Sequence, residues 1–109
     1  MQLTKIDKDV FVCRQITENA VDDLAKAGFK TIICNRPDGE EQNQPSFSTI
    51  EKRAEKYGIK TCYIPVTPPH IEAESIRNMA DALKKCPQPV VAYCKSGDRA
   101  AMLYNLAKK

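Results

Sequence analysis

One stretch constrains this chain more than any other: Pro89-Val90-Val91-Ala92-Tyr93-Cys94-Lys95-Ser96-Gly97-Asp98-Arg99, running into Ala100 to Ala107. It reads as a short apolar strand, a tight loop opened by a cysteine and holding one glycine, and then a helix. A loop between a strand end and a helix start collects backbone N–H groups that no helical carbonyl can satisfy. With the positive end of the helix dipole, those donors make a seat for an anion. A thiol placed in that seat is favoured as the thiolate, the nucleophilic form. Arg99 adds a fixed cation at the helix start, and Lys95 a more mobile one. Gly97 suits a loop that curls its amides inward, because that path needs positive φ or close approach. Cys94 and Arg99 are therefore the candidate catalytic pair, with Lys95, Ser96, Gly97 and Asp98 as the substrate-binding loop around them. The competing reading is an inert cysteine that closes a core strand. Strand, Cys-x-x-Gly-x-Arg and helix in that order favour catalysis.

The rest of the chain alternates strands and helices. Leu3–Ile6 and Val10–Cys13 read as strands joined by a turn at Asp7-Lys8-Asp9. Thr17 is placed to cap a helix whose stripe is Ala20, Val21, Leu24 and Ala25, closed by Gly28. Lys30–Cys34 is a near-continuous apolar strand, as expected of one covered on both faces. A long polar loop, Asn35–Pro45, follows, then a helix over Ser46–Tyr57 and a strand over Lys60–Ile64. Pro65–His70 has three prolines and reads as irregular. A helix over Glu72–Lys85 ends at Pro87, and the cysteine strand comes next. The order ββαβαβαβα predicts one α/β domain over residues 1–109, a mostly parallel sheet flanked by helices on both faces. In such sheets ligands gather at the carboxyl ends of the strands. Cys94, the Cys34-Asn35-Arg36 run and the proline loop all fall at that edge.

Several function classes are disfavoured. No apolar run is long enough to span a bilayer, and no leader-like segment opens the chain, so a cytoplasmic location is expected. The five cysteines include no Cys-x-x-Cys pair and His70 is the single histidine, which argues against a metal site; no cofactor is expected. The net charge of +3 comes from dispersed basic residues, so nucleic acid is not the expected partner. A small anionic substrate is compatible with it.

Other residues at the predicted edge have two readings each. Arg36 and Asp38 either contact substrate or hold their loop as an ion pair or Asx turn, for which Pro37-Asp38-Gly39 is a good sequence. Cys34 either resolves an oxidised or persulfidated Cys94 as a disulfide or is a buried small hydrophobe, and burial is favoured. His70 is either an acid on the proline loop or simply exposed, and exposure is favoured.

Four runs carry a resemblance over nearly the whole chain: Ala27–Ile33, Asn35-Arg36-Pro37-Asp38-Gly39-Glu40, Ile64-Pro65-Val66-Thr67 and Tyr93–Arg99. Together they resemble the beta-lactamase hydrolase-like, phosphatase-like domain family, whose members are also described as sulfur transferases. The resemblance implies a dual-specificity-phosphatase-like fold, with the strand ending at Cys34 beside the strand ending at Tyr93. Some relatives fuse this domain to a metallo-beta-lactamase-type persulfide dioxygenase, which implies such an enzyme as a partner. Lys95 stands where the family more often has arginine. Asp98 places a carboxylate in the anion-binding loop, where it is expected to weaken anion affinity.

Phosphate and sulfane sulfur are the competing cargoes. The spacing is Cys-x4-Arg, one residue shorter than the Cys-x5-Arg of tyrosine-phosphatase-like enzymes and similar to the loop of rhodaneses. Phosphate transfer also calls for a general acid, and the Pro65–His70 loop holds no carboxylate; Asp38, Glu40 and Glu41 are the substitutes from the other loop. Both points favour a rhodanese-like sulfurtransferase working through a Cys94 persulfide, with a persulfide or small anion as substrate. The alternatives are a phosphomonoester hydrolase working through a Cys94 phosphocysteine, and a non-catalytic module that holds an anion or a protein partner.

Overall fold

Thr31-Ile32-Ile33-Cys34 and Val90-Val91-Ala92-Tyr93 are buried along their whole length, as central strands covered on both faces must be. They form the middle of a five-stranded sheet in the structure, a computed structural model that describes residues 1–109. The elements run β1 (Thr4–Asp7), β2 (Val10–Cys13), α1 (Glu18–Lys26), β3 (Thr31–Cys34), α2 (Phe47–Glu55), β4 (Lys60–Tyr63), α3 (Ala73–Lys85), β5 (Val90–Tyr93) and α4 (Asp98–Lys108). This is the predicted order. The strands lie β1-β2-β5-β3-β4, with β1 antiparallel to β2 and every other pairing parallel.

Local signals fix the helix ends. Thr17 Oγ1 accepts from the Ala20 amide at 3.3 Å and Ser46 Oγ from the Thr49 amide at 3.2 Å, so α1 and α2 each start on a side-chain cap. The α1 stripe (Val21, Leu24) and the α2 stripe (Ile50, Ala54) pack on one sheet face with Ile32 and Val91. On the other face, Met79 of α3 and Ala100 and Leu103 of α4 pack against Ile33, Val90 and Ala92. Leu24, Ile50 and Leu103 are fully buried, each contributing about 1.5–3 kcal/mol of apolar burial.

The period of two along a strand then sorts the cysteines. Cys34 pairs in register with Tyr93, and both join the α1/α2 face with Cys13. Cys94, one residue on, falls in the α3/α4 cluster. Backbone bonds continue past the strand ends: the Asn35 amide donates to Tyr93 O at 2.8 Å, and the Val66 amide to Asn35 O at 3.2 Å. Three loops are thereby drawn to the carboxyl edge of the sheet. No helix is long and apolar enough to cross a membrane.

Candidate active site

Cys94 is the first residue beyond β5, and its side chain is wholly buried. The Gly97 amide donates to Cys94 Sγ at 3.0 Å. Of the loop amides expected to surround the sulfur, Gly97 alone reaches it. The Asp98 amide turns instead to Ser96 Oγ at 3.2 Å, so Ser96 satisfies a donor at the start of α4. Gly97 has φ +102°, and a Cβ there would stand 3.5 Å from the Cys13 carbonyl group, so the loop lies closely on the end of β2.

Arg99 is held by the loop after β3 and by the proline loop. Its Nη1 donates to Glu40 Oε2 at 2.8 Å and to the Val66 carbonyl at 3.1 Å, and its Nη2 donates to Glu40 Oε1 at 3.1 Å. Arg36 is buried, and each of its nitrogens is used. Nε meets Glu40 Oε1 at 2.9 Å, Nη1 meets Gln15 Oε1 at 3.1 Å and Nη2 meets Glu41 Oε1 at 2.9 Å. Lys95 Nζ is 2.9 Å from the same Glu41 oxygen. The Gln44 carboxamide accepts from the Glu40 and Glu41 amides at 3.1 and 3.3 Å and donates to Pro37 O at 3.0 Å, clasping the loop that carries both carboxylates. The Arg99 guanidinium holds the Glu40 carboxyl below the usual carboxylate range, and Lys95 does the same for Glu41.

The remaining candidates divide. Asp38 is structural: its Oδ1 accepts from the Phe47 amide at 2.8 Å, and its own amide donates to the Tyr63 hydroxyl at 3.0 Å. Arg36 takes the two glutamates as partners instead of Asp38, so the anticipated Arg36–Asp38 pair is replaced by a wider network. Asp98 is exposed. It lines a cavity of about 570 Å³ with Met1, Arg14, Ser96 and Gly97. Cys34 packs in the α1/α2 cluster while Cys94 falls in the α3/α4 cluster, as the buried-hydrophobe reading expects. The Cys34 Sγ donates to Arg36 O at 3.2 Å, and burial pushes its thiol up. His70 is exposed, as favoured from the sequence, and paired to Glu72 at 2.7 Å. Gln15, Gln44 and the Val66 carbonyl were not anticipated; glutamines in loops and a backbone carbonyl carry no chemical signature in a sequence. Away from this edge, the Cys62 and Cys86 Sγ atoms lie 3.8 Å apart beside β4.

Known proteins resemble this chain over nearly its whole length. The sequence model of the family described as "Beta-lactamase hydrolase-like protein, phosphatase-like domain" matches residues 2–109. A beta-lactamase hydrolase-like protein of Agrobacterium fabrum is 34% identical over 108 residues, covering 99% of this chain and 25% of the relative. The chain thus spans about a quarter of the length of the curated relatives it matches. A candidate phosphatase of Neisseria meningitidis superposes with a TM-score of 0.84 at 35% identity, over 92% of this chain and 71% of that one. The catalytic core of the PP-IP phosphatase of S. cerevisiae shares the fold, with a TM-score of 0.71 at 15% identity over 93% of this chain and 60% of that one. The family is described as phosphatase-like and the Neisseria neighbour as a candidate phosphatase, while the likeness to the yeast enzyme is one of fold. These likenesses lend nothing to the sulfurtransferase expectation and favour its phosphatase alternative.

Proposed function

Because the chain belongs to the phosphatase-like domain family of the beta-lactamase hydrolase-like proteins, we propose that it hydrolyses phosphomonoesters through a Cys94 phosphocysteine. The Cys94 thiolate attacks phosphorus and the bond to the leaving oxygen breaks, the electron pair going to that oxygen. Water then attacks the phosphocysteine, the P–S bond breaks, and its electron pair returns to sulfur as phosphate leaves. The observation that carries the reading is the Gly97 N–H on a buried Cys94 Sγ at 3.0 Å, a preformed donor for the sulfur's charge. Arg99, in the first turn of α4, supplies a planar fork suited to two phosphoryl oxygens.

The loop is one residue shorter than Cys-x5-Arg, so it offers fewer amides to the phosphoryl oxygens, and Arg99 and Lys95 must hold more of their charge. A small monoester is the substrate class this suits. Hydrolysis of 4-nitrophenyl phosphate by the wild type and by Cys94→Ser tests the reading, together with a search for phosphocysteine by mass after rapid acid quench. Phosphate release that disappears with Cys94→Ser is the expected result. Thiocyanate formation from thiosulfate and cyanide, with no phosphate release from any monoester, would return the site to sulfur transfer.

A further inference from the structure

A nucleophile and an arginine do not complete this chemistry, because a departing alkoxide or phenoxide also calls for a proton. The proline loop offers none: residues 65–70 contain no carboxylate, His70 is turned out onto Glu72, and the loop meets Arg99 only through the Val66 carbonyl. Glu40 does lie at the site. Its two carboxylate oxygens occupy both terminal nitrogens of Arg99, at 2.8 and 3.1 Å. That is the fork an incoming phosphoryl group takes, and one guanidinium edge cannot serve both anions at once. Losing Arg99 does not set Glu40 adrift. Arg36 Nε still holds Oε1 at 2.9 Å, Arg36 is itself buried, and Gln44 still clasps the Glu40 amide.

We propose that Glu40 is the proton donor to the leaving oxygen, and that the substrate makes it one by taking Arg99 away from it. The inference rests on the phosphatase reading above. As a phosphoryl dianion settles on Arg99, Glu40 exchanges a cationic partner for a neighbouring dianion, and both changes favour the protonated acid. The charged groups that face Glu40 are Arg99 from α4, Arg36 from the segment after β3, and Glu41 with Lys95 beyond it. Arg99 is the chief of those that hold its carboxyl down in the free protein.

The sequence of bonds closes. Glu40 takes a proton from solvent as the ester binds. The Cys94 S–P bond forms, the P–O bond breaks, and the Glu40 proton moves onto the departing oxygen. The Glu40 carboxylate next accepts a proton from the water that attacks the phosphocysteine, and the P–S bond breaks to restore the thiolate. Phosphate leaves, Arg99 recovers Glu40, and the proton returns to solvent; ester and water have become alcohol and phosphate.

Two measurements test this. Tungstate binding to Cys94→Ser is followed by calorimetry at neutral pH in two buffers of different ionisation enthalpy. With Glu40 present, about one proton should be taken up per tungstate bound; in Cys94→Ser/Glu40→Gln the uptake should vanish and tungstate should bind more tightly, its internal competitor gone. In the protein with Cys94 intact, Glu40→Gln should lower kcat/KM on phenyl phosphate by about 10²–10⁴-fold while sparing kcat/KM on 2,4-dinitrophenyl phosphate, whose leaving group needs no proton and whose later phosphocysteine hydrolysis that constant does not report; Glu40→Asp should recover part of the loss. An equal loss on both esters, or unchanged proton uptake in Glu40→Gln, overturns the role of Glu40 while Cys94-dependent hydrolysis still stands. Absence of Cys94-dependent hydrolysis of either ester overturns the phosphatase reading itself.

Discussion

The backbone N–H of Gly97 meets Cys94 Sγ at 3.0 Å, and it is presented from a residue with φ +102°. An L side chain at that φ costs about 1–2 kcal/mol. A Cβ at Gly97 would meet the Cys13 carbonyl group at 3.5 Å, an ordinary contact, so backbone strain and not collision sets the cost. Gly97→Ala should therefore lose about 1–2 kcal/mol in urea denaturation. Relief of the strain turns the donor away from sulfur, and kcat/KM on 4-nitrophenyl phosphate should fall by about 10²-fold, the scale of one lost charge-stabilising donor. Wild-type turnover in a folded Gly97→Ala would remove this amide from the mechanism.

Arg36 should matter to stability more than its position in a polar loop suggests. Its buried guanidinium serves Gln15, Glu40 and Glu41 together. Arg36→Ala leaves three acceptors short of a donor, although Glu41 is half exposed and Glu40 keeps Arg99. The expected cost is about 2 kcal/mol, the range for hydrogen bonds to charged groups. Arg36→Lys should recover little of it, because an ammonium cannot make the three-way fork. Chemical denaturation of both variants checks the pair; full recovery by lysine would show that charge alone suffices.

Much of this was legible in the sequence, and for physical reasons. Runs such as Thr31-Ile32-Ile33-Cys34 and stripes such as Val21 with Leu24 carry the periods of strand and helix, so the element order could be read from them. The cysteine loop was legible because strand end, glycine and helix start are consecutive. What was hidden depends on contacts between distant segments. Glu40 and Arg99 are 59 residues apart, and nothing near either one announces the other. The face taken by Cys34 is set by its register with Tyr93, which no single strand reveals. Asp38 had the right residue type at the right edge, but the Phe47 amide was the nearer claimant.

Acid should weaken the join between α1 and α2 over a defined window. Asp22 accepts from Arg53 Nε at 2.8 Å and Nη2 at 2.6 Å, and from the Tyr57 hydroxyl at 2.6 Å. Arg53 first, then Tyr57, holds the Asp22 carboxyl down at about 2. The unfolded chain's aspartate titrates at about 3.9. A folded value below the unfolded one means that the contact's stability is fully present above about pH 4 and is lost as pH falls through about 2. The difference in Tm between wild type and Asp22→Asn should thus hold steady from about pH 7 to pH 5 and close between about pH 4 and pH 2. A gap that stays open to the lowest pH would mean that the carboxylate charge is not what joins the helices.

Asn35 links the stability of the sheet edge to the position of Arg99. Its side chain is wholly buried, with Nδ2 donating to Ile64 O at 2.9 Å while Oδ1 has no partner. Its backbone carbonyl accepts from Val66, whose own carbonyl in turn receives Arg99 Nη1 at 3.1 Å. The amine end of the carboxamide is therefore the working end. Asn35→Asp keeps the volume but replaces that donor by an acceptor facing the Ile64 carbonyl, and the loss should be about 1–3 kcal/mol. Asn35→Ala removes the same bond without the opposed oxygens, and should be no less stable than Asn35→Asp at neutral pH. If the Val66 carbonyl sets where Arg99 sits, both variants should lose kcat/KM by a larger factor than substrate affinity alone explains, with kcat falling in folded protein. Asn35→Asp matching the wild type in urea denaturation would mean that the Ile64 bond contributes nothing, and the loop would then be held by its backbone bonds alone.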